Sequence, residues 1–110
     1  MQYVGLDVHK EFCQASILNE KGFEEDNVRF PTTHRGLESF LARFEDASFV
    51  LESTGVWEFV YEIIEEKGFP VKLAHPLKVR AIAEASVKTD KVDARTLAKL
   101  LRLDMVPESY

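Results

Sequence analysis

Four carboxylates in three separate segments have the types and settings that metal-assisted phosphodiester chemistry needs. Asp7 lies in YVGLDVHK and Glu52 in FVLESTG, each closing an apolar run that predicts a buried strand. Asp90 and Asp93 lie in KTDKVDA, at the start of a helical pattern. Aspartate is poorly suited to a central strand, so Asp7 needs a reason to be there. If the two strands are parallel neighbours, Asp7 and Glu52 come side by side at their C-terminal ends, where ligand sites of open sheets cluster. Two carboxylates so placed repel unless a proton or a cation lies between them, and a metal leaves no buried charge unpaired. Asp90 and Asp93 are spaced i, i+3 and can face one direction from a helix. The four together could supply oxygen ligands for two ions roughly 3.5–4 Å apart, an arrangement that activates a nucleophile and stabilises the leaving oxygen. Hard oxygen ligands select Mg²⁺ or Mn²⁺ over Zn²⁺, which favours His or Cys.

Each residue also has a purely local reading. Asp90 can be an N-cap with Asp93 at N3, as in a capping box. Glu52 can bond to the N-terminus of the next helix, and Asp7 can cap a hairpin turn. The metal reading accounts for all four with one cause. His9, His34 and His75 stand in unrelated contexts and are not read as ligands. Lys10, close to Asp7, can meet a phosphate or balance the carboxylates. Ser53 and Thr54 have no nearby histidine to act as base and are not read as nucleophiles. Trp57 and Tyr61 stand at helical spacing and read as packing.

The elements that must position these residues follow from apolar periodicity. Strands are expected over 2–8, 11–18 and about 23–30, with a turn at Asn19-Glu20-Lys21-Gly22, where Gly22 can take a positive φ. Thr32 or Thr33 can cap a helix carrying Leu37, Phe40, Leu41 and Phe44. A fourth strand is expected over Ser48–Glu52. A second helix follows with Val56, Phe59, Val60, Ile63 and Ile64 on one side, stopped by Gly68 and Pro70. A fifth strand, Val71–His75, precedes a helical stretch from Pro76 to about Ala85. A last helix is expected from about Asp90 to Leu103, with Ala94, Leu97, Ala98 and Leu101 inward. The order βββαβαβαα describes an α/β domain with a mixed five-stranded sheet and flanking helices. Right-handed crossovers place the fourth strand beside the first, and that order matches the ribonuclease H-like fold.

The bulk composition sets bounds. A chain of 110 residues fits one domain, 1–110, and its 45% hydrophobic and 30% charged content is that of a globular protein. No apolar run is long enough to span a membrane and no signal-peptide pattern opens the chain, so a cytoplasmic protein without a membrane partner is expected. The single cysteine, Cys13, forbids an internal disulfide, fits a reducing compartment and reads as a small core residue. The net charge of −5 hides a segregation: residues 1–71 carry a net of −8 and residues 72–102 a net of +5. Such asymmetry can mark a nucleic-acid face as well as a solvated helix surface. The candidate nucleic-acid contacts are Lys10, Lys78, Arg80, Lys88, Lys91 and Arg95.

Together GLDVHK, LESTG, AHPLKVR and KTDKVDA-x-x-LA resemble the N-terminal domain of DEDD-type transposases, the insertion-sequence-110 family and the related Piv-type DNA invertases. The resemblance runs from about Tyr3 to Leu101, and the family's four acidic positions fall on Asp7, Glu52, Asp90 and Asp93. It implies a fold like that of the Holliday-junction resolvase RuvC, with Mg²⁺ or Mn²⁺ at the tetrad. It implies recombination of mobile DNA in a prokaryotic cell, directed by an element-encoded bridge RNA acting as guide. It further implies a C-terminal transposase domain of the same polypeptide that supplies an attacking serine, so this chain is expected to be a fragment, inactive alone. Recombinases act as multimers, which makes a homo-oligomer an expected partner.

Two other readings compete. An actin- or sugar-kinase-like nucleotide-binding half-domain shares the topology. Its phosphate loop, however, wants glycine just after the aspartate, and here Val8, His9 and Lys10 follow Asp7. The other is a non-enzymatic nucleic-acid-binding module with structural carboxylates.

Overall fold

In the computed structural model, which describes residues 1–84 and 93–109, nine elements follow one another as expected. β1 (Gln2–Val8), β2 (Phe12–Leu18) and β3 (Glu24–Pro31) lead into α1 (His34–Leu41), β4 (Ala47–Glu52), α2 (Trp57–Glu66), β5 (Val71–Ala74), α3 (Pro76–Glu84) and α4 (Ala94–Arg102). The strands form one sheet in the order β3-β2-β1-β4-β5. β1 pairs antiparallel with β2 and parallel with β4, and the register Leu6↔Leu51 brings the C-terminal ends of the two central strands level.

The period-two alternation of the strands sorts their side chains onto two faces. On one face Val4, Leu6, Ala15, Ile17, Phe49 and Leu51 pack under α1 and α2. On the other, Val50, Ala74, Val79, Leu97, Leu100 and Leu101 form a smaller core under α4. α4 can lie this close to the sheet because β1 carries glycine at its centre. A Cβ on Gly5 would sit 2.0 Å from the Ala94 carbonyl oxygen and 2.6 Å from the Ala98 nitrogen. Both neighbours are backbone, so any side chain there forces the helix away. Ser16, the cross-strand partner of Gly5, is fully buried on this face and donates to Glu24 Oε2 at 2.6 Å.

Three expectations need correction. The last helix begins at Ala94, with Asp93 extended as its N-cap (φ −95°, ψ 176°) rather than inside the first turn. The expected i, i+3 pairing with Asp90 falls on a residue outside the described ones. In the second helix Val60, Ile63 and Ile64 are buried, but Val56 and Phe59 are 38% and 40% exposed. Val56 precedes the first turn, and Trp57 and Tyr61, packed edge to face, line the flank of the core instead. In α1, Thr33 caps through its hydroxyl and the helix stops at Leu41, while Phe44 reaches the core from the following turn. The remaining boundaries shift by a residue.

The free edge of β5 is partly covered by the end of the chain. His75 N donates to Pro107 O at 2.8 Å and Ser109 N to Leu73 O at 2.7 Å, around an antiparallel bridge between Ala74 and Glu108. No helix among the described residues is long and apolar enough to cross a membrane.

Candidate active site

Asp7 and Glu52 stand one position beyond the paired Leu6 and Leu51, at the C-terminal edge of two adjacent parallel strands. Leu6 and Leu51 point into the larger core, so alternation turns Asp7 and Glu52 to the α4 face. Burial, and then the negative charge of Asp7, hold the Glu52 carboxyl above its ordinary value; the nearby Arg80 guanidinium offsets part of this. Glu52 is thus a half-buried acid whose ionised form is penalised by its neighbour, which is the electrostatic setting that a cation relieves.

His9 completes the Asp7 end. Its Nε2 lies 3.1 Å from Asp7 Oδ2, and its ring stacks on Phe12 at 4.5 Å between centroids. The sequence signal for this contact is the i, i+2 spacing in Asp7-Val8-His9. Lys10 is exposed at the hairpin tip, beside His9.

Asp93 precedes α4, whose first residue, Ala94, lies over Gly5. Its Oδ1 accepts from Thr96 N at 3.0 Å, so the carboxylate is engaged as a cap. The charges of Arg95 and Asp93 reach Glu24, whose carboxyl is held below its ordinary value chiefly by hydrogen bonds from Ser16 and then Asn27. Asp90, Lys88 and Lys91 lie outside the described residues. Among the described residues no three His, Cys, Asp or Glu side chains converge closely enough to hold a metal ion. Asp7 and Glu52 have the chemistry of two hard oxygen ligands.

The basic stretch divides in space. Arg80 and Lys78 are exposed on α3, with Arg80 near enough to act on Glu52, and Arg95 is exposed in the first turn of α4. Lys72 pairs with Asp104 at 3.1 Å, and Arg102 donates to Glu20 O at 2.9 Å while packing against Gly22, at the far end of α4. Charge counting along the chain could not separate these two groups.

A family model described as a transposase, DEDD type of insertion-sequence 110, matches residues 4–108. RuvC of T. thermophilus, solved in complex with a Holliday junction substrate, superposes with a TM-score of 0.64 at 14% identity, covering 99% of each chain. A ROK hexokinase from Thermus thermophilus matches with a TM-score of 0.48 at 21% identity, over 79% of this chain and 39% of its own. No curated protein matches.

Proposed function

The chain belongs to the DEDD transposases of the insertion-sequence-110 family and has the RuvC-like, ribonuclease H-like fold, and from that premise we propose that its carboxylates hold divalent metal for strand cleavage and transfer of mobile-element DNA. The observation that carries this is the placement of Asp7 and Glu52 on neighbouring parallel strand ends, with Glu52 destabilised as an anion by burial and then by Asp7. Asp90 and Asp93 are the further ligands in this reading. Asp93 would leave its cap, or use the oxygen not bonded to Thr96, to reach the metal. Mg²⁺ or Mn²⁺ there would polarise the scissile phosphate and stabilise the leaving oxygen. His9 orients Asp7 through its Nε2. Lys10, Lys78, Arg80, Lys88, Lys91 and Arg95 hold the DNA backbone by charge.

The reading includes a bridge RNA that selects the DNA sites. It also includes an attacking serine from a C-terminal domain of the same polypeptide, and assembly of more than one copy. Metal binding is the part that the chain alone can carry. Mn²⁺ titration followed by thermal shift tests it: the wild type gains stability with metal, and Asp7→Asn and Glu52→Gln each lose most of that gain. Equal Mn²⁺ responses in all three proteins would remove the site.

A further inference from the structure

The face of the sheet that carries the carboxylates also carries an arginine held in place without being neutralised. Cross-strand register puts Asp7, Gln14 and Arg29 in one row across β1, β2 and β3. Val28 and Phe30 on either side of Arg29 pack into the larger core, so Arg29 turns to the opposite, α4 face. Its guanidinium carbon lies 3.8 Å from the centroid of the Phe12 ring, and its Nε donates to Gln14 Oε1 at 3.2 Å. Phe12 stacks on His9, and His9 touches Asp7. An unbroken run of contacts therefore leads from the carboxylate to the guanidinium.

The other anchored arginines are committed elsewhere. Arg43 pairs with Asp26 at 2.9 Å, and Arg102 is tied to the Glu20 carbonyl at the far end of α4. The contacts of Arg29 among the described residues are an aromatic face and an amide oxygen, neither of which carries charge. Arg29 is exposed. Stacking fixes the plane of the guanidinium and leaves N–H groups on its edge for a bidentate oxyanion. Two strand spacings separate the Asp7 and Arg29 backbones, roughly 10 Å.

We propose that Arg29, held by Phe12 and Gln14, binds a backbone phosphate of the DNA strand whose scissile bond lies at Asp7 and Glu52, to one side of that bond. The inference deepens the function proposed above and rests on it. It extends the DNA path to the β2–β3 side of the carboxylates, away from Arg80, which lies by Glu52 on the β4 side. The occupant is the DNA strand because the row is continuous with the carboxylates, so the same strand runs over both.

The test measures binding of fluorescently labelled single-stranded and branched DNA in Mg²⁺, between 50 and 200 mM salt. Arg29→Ala weakens DNA binding about 3- to 10-fold and lowers the slope of log affinity against log salt by roughly 0.7–0.9, the signature of one lost phosphate contact. Arg29→Lys keeps the slope and recovers part of the affinity, because a point charge remains without the stack. Both variants keep the wild-type thermal shift with Mn²⁺. Unchanged DNA affinity and slope in Arg29→Ala overturn the inference, as does a loss confined to an RNA oligonucleotide of the same sequence. If Asp7→Asn retains the full Mn²⁺ response while Arg29→Ala still loses DNA, the carboxylate reading fails and the phosphate contact stands.

Discussion

At the scale of single residues, the site is an electrostatic tension set by two neighbouring strand ends. Glu52 is half-buried beside Asp7, and its folded-state carboxyl lies above the ordinary value of 4.5. A carboxyl raised on folding binds its proton more tightly in the native state. Its contribution to stability is therefore complete below pH 4.5 and is lost as pH rises through the folded value. In metal-free protein, Glu52→Gln is expected to raise the melting temperature at neutral pH, with the advantage disappearing below about pH 4.5. Melting curves across pH check this, and a Glu52→Gln protein less stable than wild type at pH 7 contradicts it. Cys13 shows the opposite, structural use of a titratable group. It is fully buried, its thiol is pushed up by burial, and its sulfur lies 3.3 Å from Thr32 Oγ1, as a small core residue should. The chemistry-bearing types at Asp7 and Glu52 were readable directly, because a carboxylate at the end of an apolar strand has few structural uses. His9 and Arg29 were not singled out, since their importance lies in what they touch across strands.

At the scale of elements, α4 decides how much of the acidic quartet can meet. Gly5 lets the helix backbone come down onto β1, and Asp93 stands at the start of that helix. Asp93 then serves the helix as N-cap, a role separable from any role in metal binding. Asparagine preserves the acceptor that bonds Thr96 N, whereas alanine removes it. Asp93→Asn is expected to keep wild-type stability, and Asp93→Ala to lose about 1 kcal/mol. Both are expected to lose part of the Mn²⁺-dependent stabilisation. Denaturant titration with and without Mn²⁺ separates the effects; full metal response in Asp93→Asn would assign Asp93 to the cap alone. The sequence leaves the helix start ambiguous because KTDKVD offers two aspartates three residues apart, and either satisfies the same capping preference.

At the scale of the whole molecule, the sheet order creates the site and the end of the chain protects its flank. β5 is an edge strand, and residues 107–109 pair with it through two backbone bonds and set Ser109 Oγ 3.2 Å from Ser53 Oγ, beside Glu52. Removing residues 107–110 is expected to cost about 1–3 kcal/mol, from the lost hydrogen bonds, and to promote association through the bared edge. Thermal melting and light scattering check both; an unchanged, monodisperse protein would show that the tail is dispensable. The sequence by itself determined the element order, the faces of the strands and the acidic residues at their ends. These rest on local quantities: apolar period, turn-forming glycine and proline, and residue type. The chirality of crossover connections was enough to bring the fourth strand beside the first. Only the tertiary structure decided that Asp7 is held by His9, that Asp93 caps α4, and that Arg80 lies near Glu52 while Lys72 and Arg102 are tied to Asp104 and the Glu20 carbonyl. The reason is that each depends on register between strands or on the descent of a helix onto a glycine, distances set by packing between segments far apart in the chain.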